Sequence, residues 1–377
     1  MSRTLSAVQL HADLKRLGRQ TSLLHRKWTR MTASPFAFLR GASALWAEAL
    51  KREPKLLAGI PGEGVLVGDL HLENVGTFRT ANGLALHVND FDESFEGPWA
   101  FDVARLLTST LLARAELRCS GLEVVALTEE VLDGHAAGLG GASSRLPAPL
   151  VGLVEHASQK LDEKFLAKRL AAPGKLVRDE KMPPAPQARW PEAKRAVLQW
   201  AETTKQKELV TLVDLTRRVA GTGSLGVERL VALVDVGGKP RLLELKEVRG
   251  SSFGGSAPDP LGMLDAWVRC LPKPPLELAV AALGALPVIV RPLFASDDKL
   301  SVDDLDRTSL PQTLRAIGVM AGEVHRRGAG ARSKGTRWTR KHQKQILDAA
   351  SQLAGLHEHA FHLFCRDVHE AMNAARD

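Results

Sequence analysis

Over the first fifty residues, apolar side chains recur at helical rather than strand spacing. Leu10, Leu14 and Leu17, then Phe36, Leu39, Leu45 and Trp46, predict helices across 5–50 with these positions as the buried faces. The period then changes. Residues 64–67 read as a short strand ending in Gly68-Asp69. Residues 84–88 read as a second strand after a turn at Ala81-Asn82-Gly83, and the two are expected to pair as a hairpin. Pro98 is placed to open a helix whose buried face is Val103, Leu106, Leu107, Thr110 and Leu111. Pro173, Pro183, Pro184, Pro186 and Pro191 make 171–192 a linker or exposed loop. Strand character returns over 221–248 as a hairpin about Gly237-Gly238. The chain turns helical again after Pro311, with a long final helix over about 338–373. No internal repeat interrupts this order. The expected division is 1–60 basic helices, 61–170 a helical part with an acidic loop, 171–210 a Pro-rich linker and helix, 211–295 a small β lobe, and 296–377 a helical C-terminal part.

Composition narrows the class. With 377 residues, 44% hydrophobic and 25% charged, the chain reads as a soluble globular protein. No run approaches the roughly 18 apolar residues of a membrane span. Residues 1–20 read as an amphipathic helix carrying Asp13, Lys15, Arg16 and Arg19, without the apolar stretch of a secretory signal. Cys119, Cys270 and Cys365 lie far apart, which argues against a disulfide framework and for a reducing cytoplasm. The net charge of +8 is concentrated. Residues 1–60 hold eleven Lys/Arg against Asp13, Glu48 and Glu53, and 326–344 hold eight with no acid. Such patches favour anionic partners or are simply solvated surface. Nucleic acid is possible but not favoured, because aromatic side chains are not interleaved with the charges.

The chemistry-bearing stretch is Val65-Leu-Val-Gly-Asp-Leu-His-Leu-Glu-Asn74, followed by Val88-Asn-Asp-Phe-Asp-Glu93. Phosphoryl transfer needs a carboxylate to orient an acceptor hydroxyl and take its proton, and oxygen ligands to hold magnesium against phosphates. Asp69 and Asn74, in a D-x-x-x-x-N spacing after a strand, supply the base and one metal ligand. Asp90 completes the metal site, and Asp92 and Glu93 are near enough to serve a second ion. The plain alternative is turn and capping residues. Much later comes Gly221-Thr-Gly-Ser-Leu-Gly226, a G-x-G-x-x-G followed by strand rather than helix. In that setting Gly221, Gly223, Ser224 and Gly226 would cover phosphates; an ordinary glycine turn is the alternative. Lys246, one hairpin on, is placed to contact the phosphates or to snorkel from its strand.

These motifs resemble the protein-kinase-like superfamily, especially its aminoglycoside and choline phosphotransferase branch. More closely, the chain is similar to an uncharacterised bacterial family, domain-of-unknown-function family 2252. The residues are Ser34-Pro-Phe-Ala-Phe-Leu-Arg-Gly41, Gly68-Asp-Leu-His-Leu-Glu-Asn74, Asn89-Asp-Phe-Asp-Glu93, Gly97-Pro98 with Asp102 and Arg105, the glycine loop, and Leu245-Lys-Glu247. Weaker echoes are Val290-Arg291-Pro-Leu with Lys299, and Met320 to His325. The resemblance implies an α+β, two-lobed, kinase-like fold that is permuted, since the acidic loop precedes the glycine loop. It implies ATP and Mg²⁺ as cofactors, a small-molecule acceptor, and Asp102 as the anchor of the acidic loop's backbone, a residue that also suits the first turn of its helix. Kinases pair the lysine with a glutamate; none lies between Val248 and Pro275, and Asp265 is the best substitute.

Three functions remain open: a phosphotransferase, a metallophosphoesterase built on Asp69-Leu-His71, and a non-catalytic nucleotide-binding protein. His71 reads otherwise as a loop residue. On the last helix His362, Cys365 and His369 share a face and could bind a metal, though an amphipathic helix explains them equally.

Overall fold

The computed structural model describes residues 4–18, 20–143, 145–223, 225–253, 257–333 and 336–374. Four helices open the chain: α1 (Leu5–Leu17), α2 (Thr21–Met31), α3 (Pro35–Gly41) and α4 (Ser43–Arg52). Their extent agrees with the periodicity, but α1 buries a different face. Leu14 is 50% exposed, whereas Ser6, Gln9, Asp13 and Leu17 are buried. The reason is ionic. Asp13 accepts from Lys27 Nζ at 2.5 Å and from Trp28 Nε1 at 3.3 Å, and both Asp13 and Lys27 are about 1% exposed.

Strand β1 (Glu63–Leu66) follows, then β2 (Val75–Thr80), β3 (Gly83–Val88) and β4 (Phe95–Pro98). The expected hairpin is corrected here. β1 pairs antiparallel with β4, and β3 pairs with β2, a strand the apolar pattern did not reveal because Gly76, Thr77 and Arg79 interrupt it. Helix α5 (Trp99–Leu112) is buried on nearly every side, including Val103, Leu106, Leu107 and Thr110, while Leu111 is half-buried. Helices α6 (Gly121–Leu139), α7 (Ala148–Ser158) and α8 (Asp162–Ala167) complete this part.

Of the stretch expected to be a linker or exposed loop, residues 177–188 form no named helix or strand, but its start is structured. Strands β5 (Leu170–Ala172) and β6 (Lys175–Leu176) form a small hairpin whose Leu176 packs with Val231, Leu233 and Leu242. Asp214 accepts the Leu176 N–H at 2.7 Å, which ties the segment down despite its prolines. Helix α9 (Arg189–Thr203) buries Ala193, Ala196, Val197 and Trp200, a helical stripe, against the other face of a five-stranded sheet. That antiparallel sheet comprises β7 (Val210–Arg217), β8 (Arg229–Val236), β9 (Lys239–Glu247), β10 (Ala279–Leu283) and β11 (Leu286–Pro292), in the order β10-β11-β9-β8-β7. Helix α10 (Pro260–Cys270) lies between β9 and β10 in sequence.

Helices α11 (Leu310–Ala329) and α12 (Arg340–Ala374) close the chain. α11 packs on α6 at glycine distance. A Cβ on Gly134, Gly138 or Gly318 would stand 2.1 Å from a carbonyl oxygen of the facing helix, and one on Gly322 would stand 2.2 Å from that of His135. On α12, His357 is buried and donates from Nδ1 to the Leu353 carbonyl at 3.0 Å, His369 meets Asn373, and no three His, Cys, Asp or Glu side chains among the described residues are grouped to hold a metal. No described helix is long and apolar enough to cross a membrane, and all three cysteines are free.

Candidate functional site

One face of α5 grips the acidic loop. Positions 102, 105 and 109 lie three and seven residues apart and so point the same way. The Asp102 carboxylate accepts the N–H groups of Val67 at 2.7 Å and Gly68 at 2.9 Å. Arg105, fully buried, forms an ion pair with Asp69 and donates to the Leu39 carbonyl at 2.9 Å. Ser109 Oγ accepts the Leu72 N–H at 3.3 Å. Gly68 has φ +85°, and a Cβ there would lie 2.0 Å from the Glu93 carbonyl oxygen, so only glycine permits this turn. Behind Asp102, His325 Nε2 stands 3.2 Å from its carboxylate, and His325 Nδ1 stands 2.9 Å from His135 Nε2.

Around this loop the other acids assemble. Asn74 donates to the Asp69 carbonyl at 2.9 Å, so its Oδ1 has no protein donor among the described residues. Lys246, on β9, forms an ion pair with Asp92 across 154 positions of sequence. Lys299 lies 3.5 Å from Asp90. The electrostatics separate the carboxylates. Burial pushes the Asp69 carboxyl up to about 7, against the pull of Arg105. At Asp90 the upward push of burial is outweighed by Lys246, Lys299 and Arg229, which hold it below the usual carboxylate range. Burial and the neighbouring Asp90 charge raise Asp92. Burial also keeps the His71 imidazole neutral, and its Nδ1 accepts the Glu73 N–H at 3.2 Å.

Two adjoining cavities meet at Asp90 and Asp92. The smaller, about 130 Å³, is lined by Asp69, His71, Asn74, Gly221, Gly223 and residues of the N-terminal helices such as Arg16 and Ser43. The larger, about 390 Å³, is lined by Lys246, Val248, Ile289 and Leu293 of the sheet side with Phe78, Trp267 and Arg229. The glycine loop joins β7 to β8. Gly221 and Gly223 line the smaller cavity, with their carbonyls accepting from Arg30 at 2.5 Å and Arg16 at 2.9 Å. Gly226 does not line either cavity. Its φ of +85° packs it on Leu17, and its carbonyl accepts from Arg249. Ser224 lies outside the described residues. One further expectation is corrected. Asp265 is exposed and pairs with Arg269 at 2.6 Å, one turn along its own helix, so it does not serve Lys246. Lys246 pairs with Asp92 instead, which lines both cavities beside Asp90.

Sequence reasoning missed one charge cluster. Glu244 on β9, about 1% exposed, is held by Arg218 at 2.8 Å, Arg229 at 2.6 Å and Arg291 at 3.2 Å. The three cations keep its carboxyl well below the usual range despite burial. Alternating strand residues of opposite charge on adjacent strands were the available signal.

The family profile of an uncharacterized protein conserved in bacteria, DUF2252, matches residues 19–262 of the chain. The chain belongs to the DUF2252 family. The DUF2252 match takes in Asp69, Asn74, Asp90, Asp92, Asp102 and Lys246, so the residues that converge in space also fall within one family unit. Helix α11, which backs Asp102 through His325, lies beyond the DUF2252 segment. No curated protein and no solved structure matches the chain.

Proposed function

We propose that this DUF2252 protein is an ATP- and Mg²⁺-dependent phosphotransferase acting on a hydroxyl-bearing small molecule, with a permuted kinase-like fold. The observation that carries the reading is the ion pair of Lys246 with Asp92, which brings the lysine strand onto the acidic loop. A glycine loop between the first two strands of a sheet, a lysine on the third strand and a helix after it is the order of a kinase small lobe. Here those parts are the β7–β8 loop, Lys246 on β9, and α10.

Each side chain then has a task. Asp69, held by Arg105 and ionising near neutrality, is suited to take the proton of an acceptor hydroxyl. Asn74 Oδ1 and Asp90 are the oxygen donors that fit a hard cation, and magnesium commonly takes only one or two protein carboxylates beside phosphate and water. Bound there, Mg²⁺ would neutralise charge on the phosphate oxygens. Lys246, oriented by Asp92, faces the larger cavity, whose apolar sheet wall suits a nucleobase. Asp102 fixes the loop's backbone rather than touching substrate. The phosphoesterase reading gains nothing from His71, whose Nδ1 is occupied within its own loop.

Purified protein is expected to show a thermal shift with Mg-ATP that disappears in Asp90→Ala. No shift in the wild-type protein overturns the reading. Nucleotide binding without turnover across a broad acceptor screen selects the non-catalytic alternative.

A further inference from the structure

Beyond the cleft, α6, α11 and residues 336–338 ahead of α12 line a further cavity of about 740 Å³, with His135, Arg326, Arg327, Arg337 and Trp338 among its walls. No described lining residue is acidic. In the cleft, Arg40, Lys246 and Lys299 each have a carboxylate partner, Glu73, Asp92 and Asp90. Here the pairing is sparser. Arg326 pairs with Glu323 at 3.7 Å, but neither Arg327 nor Arg337 has a carboxylate within ion-pair distance among the described residues. The Nε atoms of Arg326 and Arg327 are buried without an acceptor. Guanidinium groups left this way in a partly dry concavity favour an oxyanion that accepts in a fork.

His135 adds a second requirement. Asp102 accepts two backbone N–H groups and is an acceptor toward His325, so His325 Nε2 carries a proton, and in the neutral ring His325 Nδ1 presents a lone pair. His135 must therefore donate from Nε2 into that lone pair, leaving Nδ1 of a neutral imidazole as a bare acceptor. That Nδ1 is buried and has no partner. Its ring stacks on Trp338 at 4.7 Å and 26°. A ligand that satisfies both demands carries negative oxygens for the arginines and an O–H for His135.

We propose that this cavity is a binding site for hydrogen phosphate, an anion that retains a hydroxyl proton at neutral pH. It is separate from the cleft but joined to it, because His135, His325 and Asp102 form a hydrogen-bonded line ending on the backbone of Val67 and Gly68.

Inorganic phosphate titrated into the whole protein, read by tryptophan fluorescence with Trp338→Phe identifying the reporter, tests this. A saturable Trp338 response is expected, weakened about tenfold or more, roughly 1.4 kcal/mol, in Arg327→Ala and in the exposed Arg337→Ala, and unchanged in the cleft variant Lys246→Ala. Sulfate matches phosphate in shape and charge but has no O–H at neutral pH. It should bind more weakly than phosphate, and His135→Phe should abolish the preference while keeping the stacked ring. Phenyl phosphate, whose head loses its second proton at about pH 6 and so carries no O–H at neutral pH, should also bind more weakly than phosphate; tighter binding of the monoester overturns the proposal. A response lost in Lys246→Ala yet kept in Arg327→Ala and Arg337→Ala overturns it, as does no saturable response or equal affinity for sulfate and phosphate.

Discussion

Asp69 sits where two opposing pulls meet. Burial disfavours its charge, and Arg105 favours it, with the balance leaving the carboxyl near 7. A base must be ionised to accept a proton, so under the phosphotransferase reading kcat/KM should climb as pH rises through about 7 and level off above it. Asp69→Asn should lower kcat by about 10²–10⁴-fold, the usual contribution of a positioned base, and remove that rising limb. A profile flat from pH 5 to 9 in an active wild-type protein would rule Asp69 out of the role. Asp102's hold on the loop backbone was legible in the sequence because it is local, set by a short loop and the first turn of the next helix, and the same loop brings Asp69 and Asn74 together. The partner of Lys246 was not legible. It lies 154 residues away, whereas Asp265, the acid on the helix that follows the lysine, pairs one turn along with Arg269.

Among the elements, α5 is the clamp and the α6–α11 pair is its backing. Gly134-x-x-x-Gly138 and Gly318-x-x-x-Gly322 let the two backbones approach closely, which brings His135 to His325. The spacing was visible in the sequence, and apolar periodicity passed over it because glycine adds nothing to an apolar stripe. Gly322→Ala would put a Cβ 2.2 Å from the His135 carbonyl oxygen, which is backbone and cannot rotate away. Such overpacking should cost about 1–3 kcal/mol in a thermal or urea melt. Gly355→Ala on α12 meets nothing within 4 Å and should be neutral or stabilising by up to about 1 kcal/mol. Equal effects from the two would show that the close approach is not what holds α6 to α11. The buried face of α1 escaped notice for a related reason. Ser6 donates to Asp367 of α12, Gln9 to the Gly41 carbonyl of α3, and Asp13 pairs with Lys27 of α2, so the stripe is buried by polar partners that an apolar count cannot register.

For the molecule as a whole, helices and sheet meet at the two cavities, and the α+β class with its small sheet near 211–295 was readable from the change of period. What the pattern hid was how much of the chain wraps that sheet, since α9 and the β5–β6 hairpin cover its two faces. The N-terminal helices reach the same centre by donating from Arg16 and Arg30 to the glycine loop.

Glu244 draws its three guanidinium partners from the end of β7, from β8 and from β11. Four stretches of chain must therefore arrive in correct alignment before that carboxylate is neutralised. Slippage of any strand by one residue would turn its charged side chain to the opposite face and strand bare charge in the interior. The cluster thus acts as an assembly check, penalising misaligned sheets more than it strengthens the correct one. Glu244→Gln should destabilise the fold by about 3–5 kcal/mol in urea, because three cations would be left facing each other. A simultaneous apolar replacement of all four residues should recover most of that loss while refolding less uniformly, with more than one kinetic phase where the native sequence shows fewer.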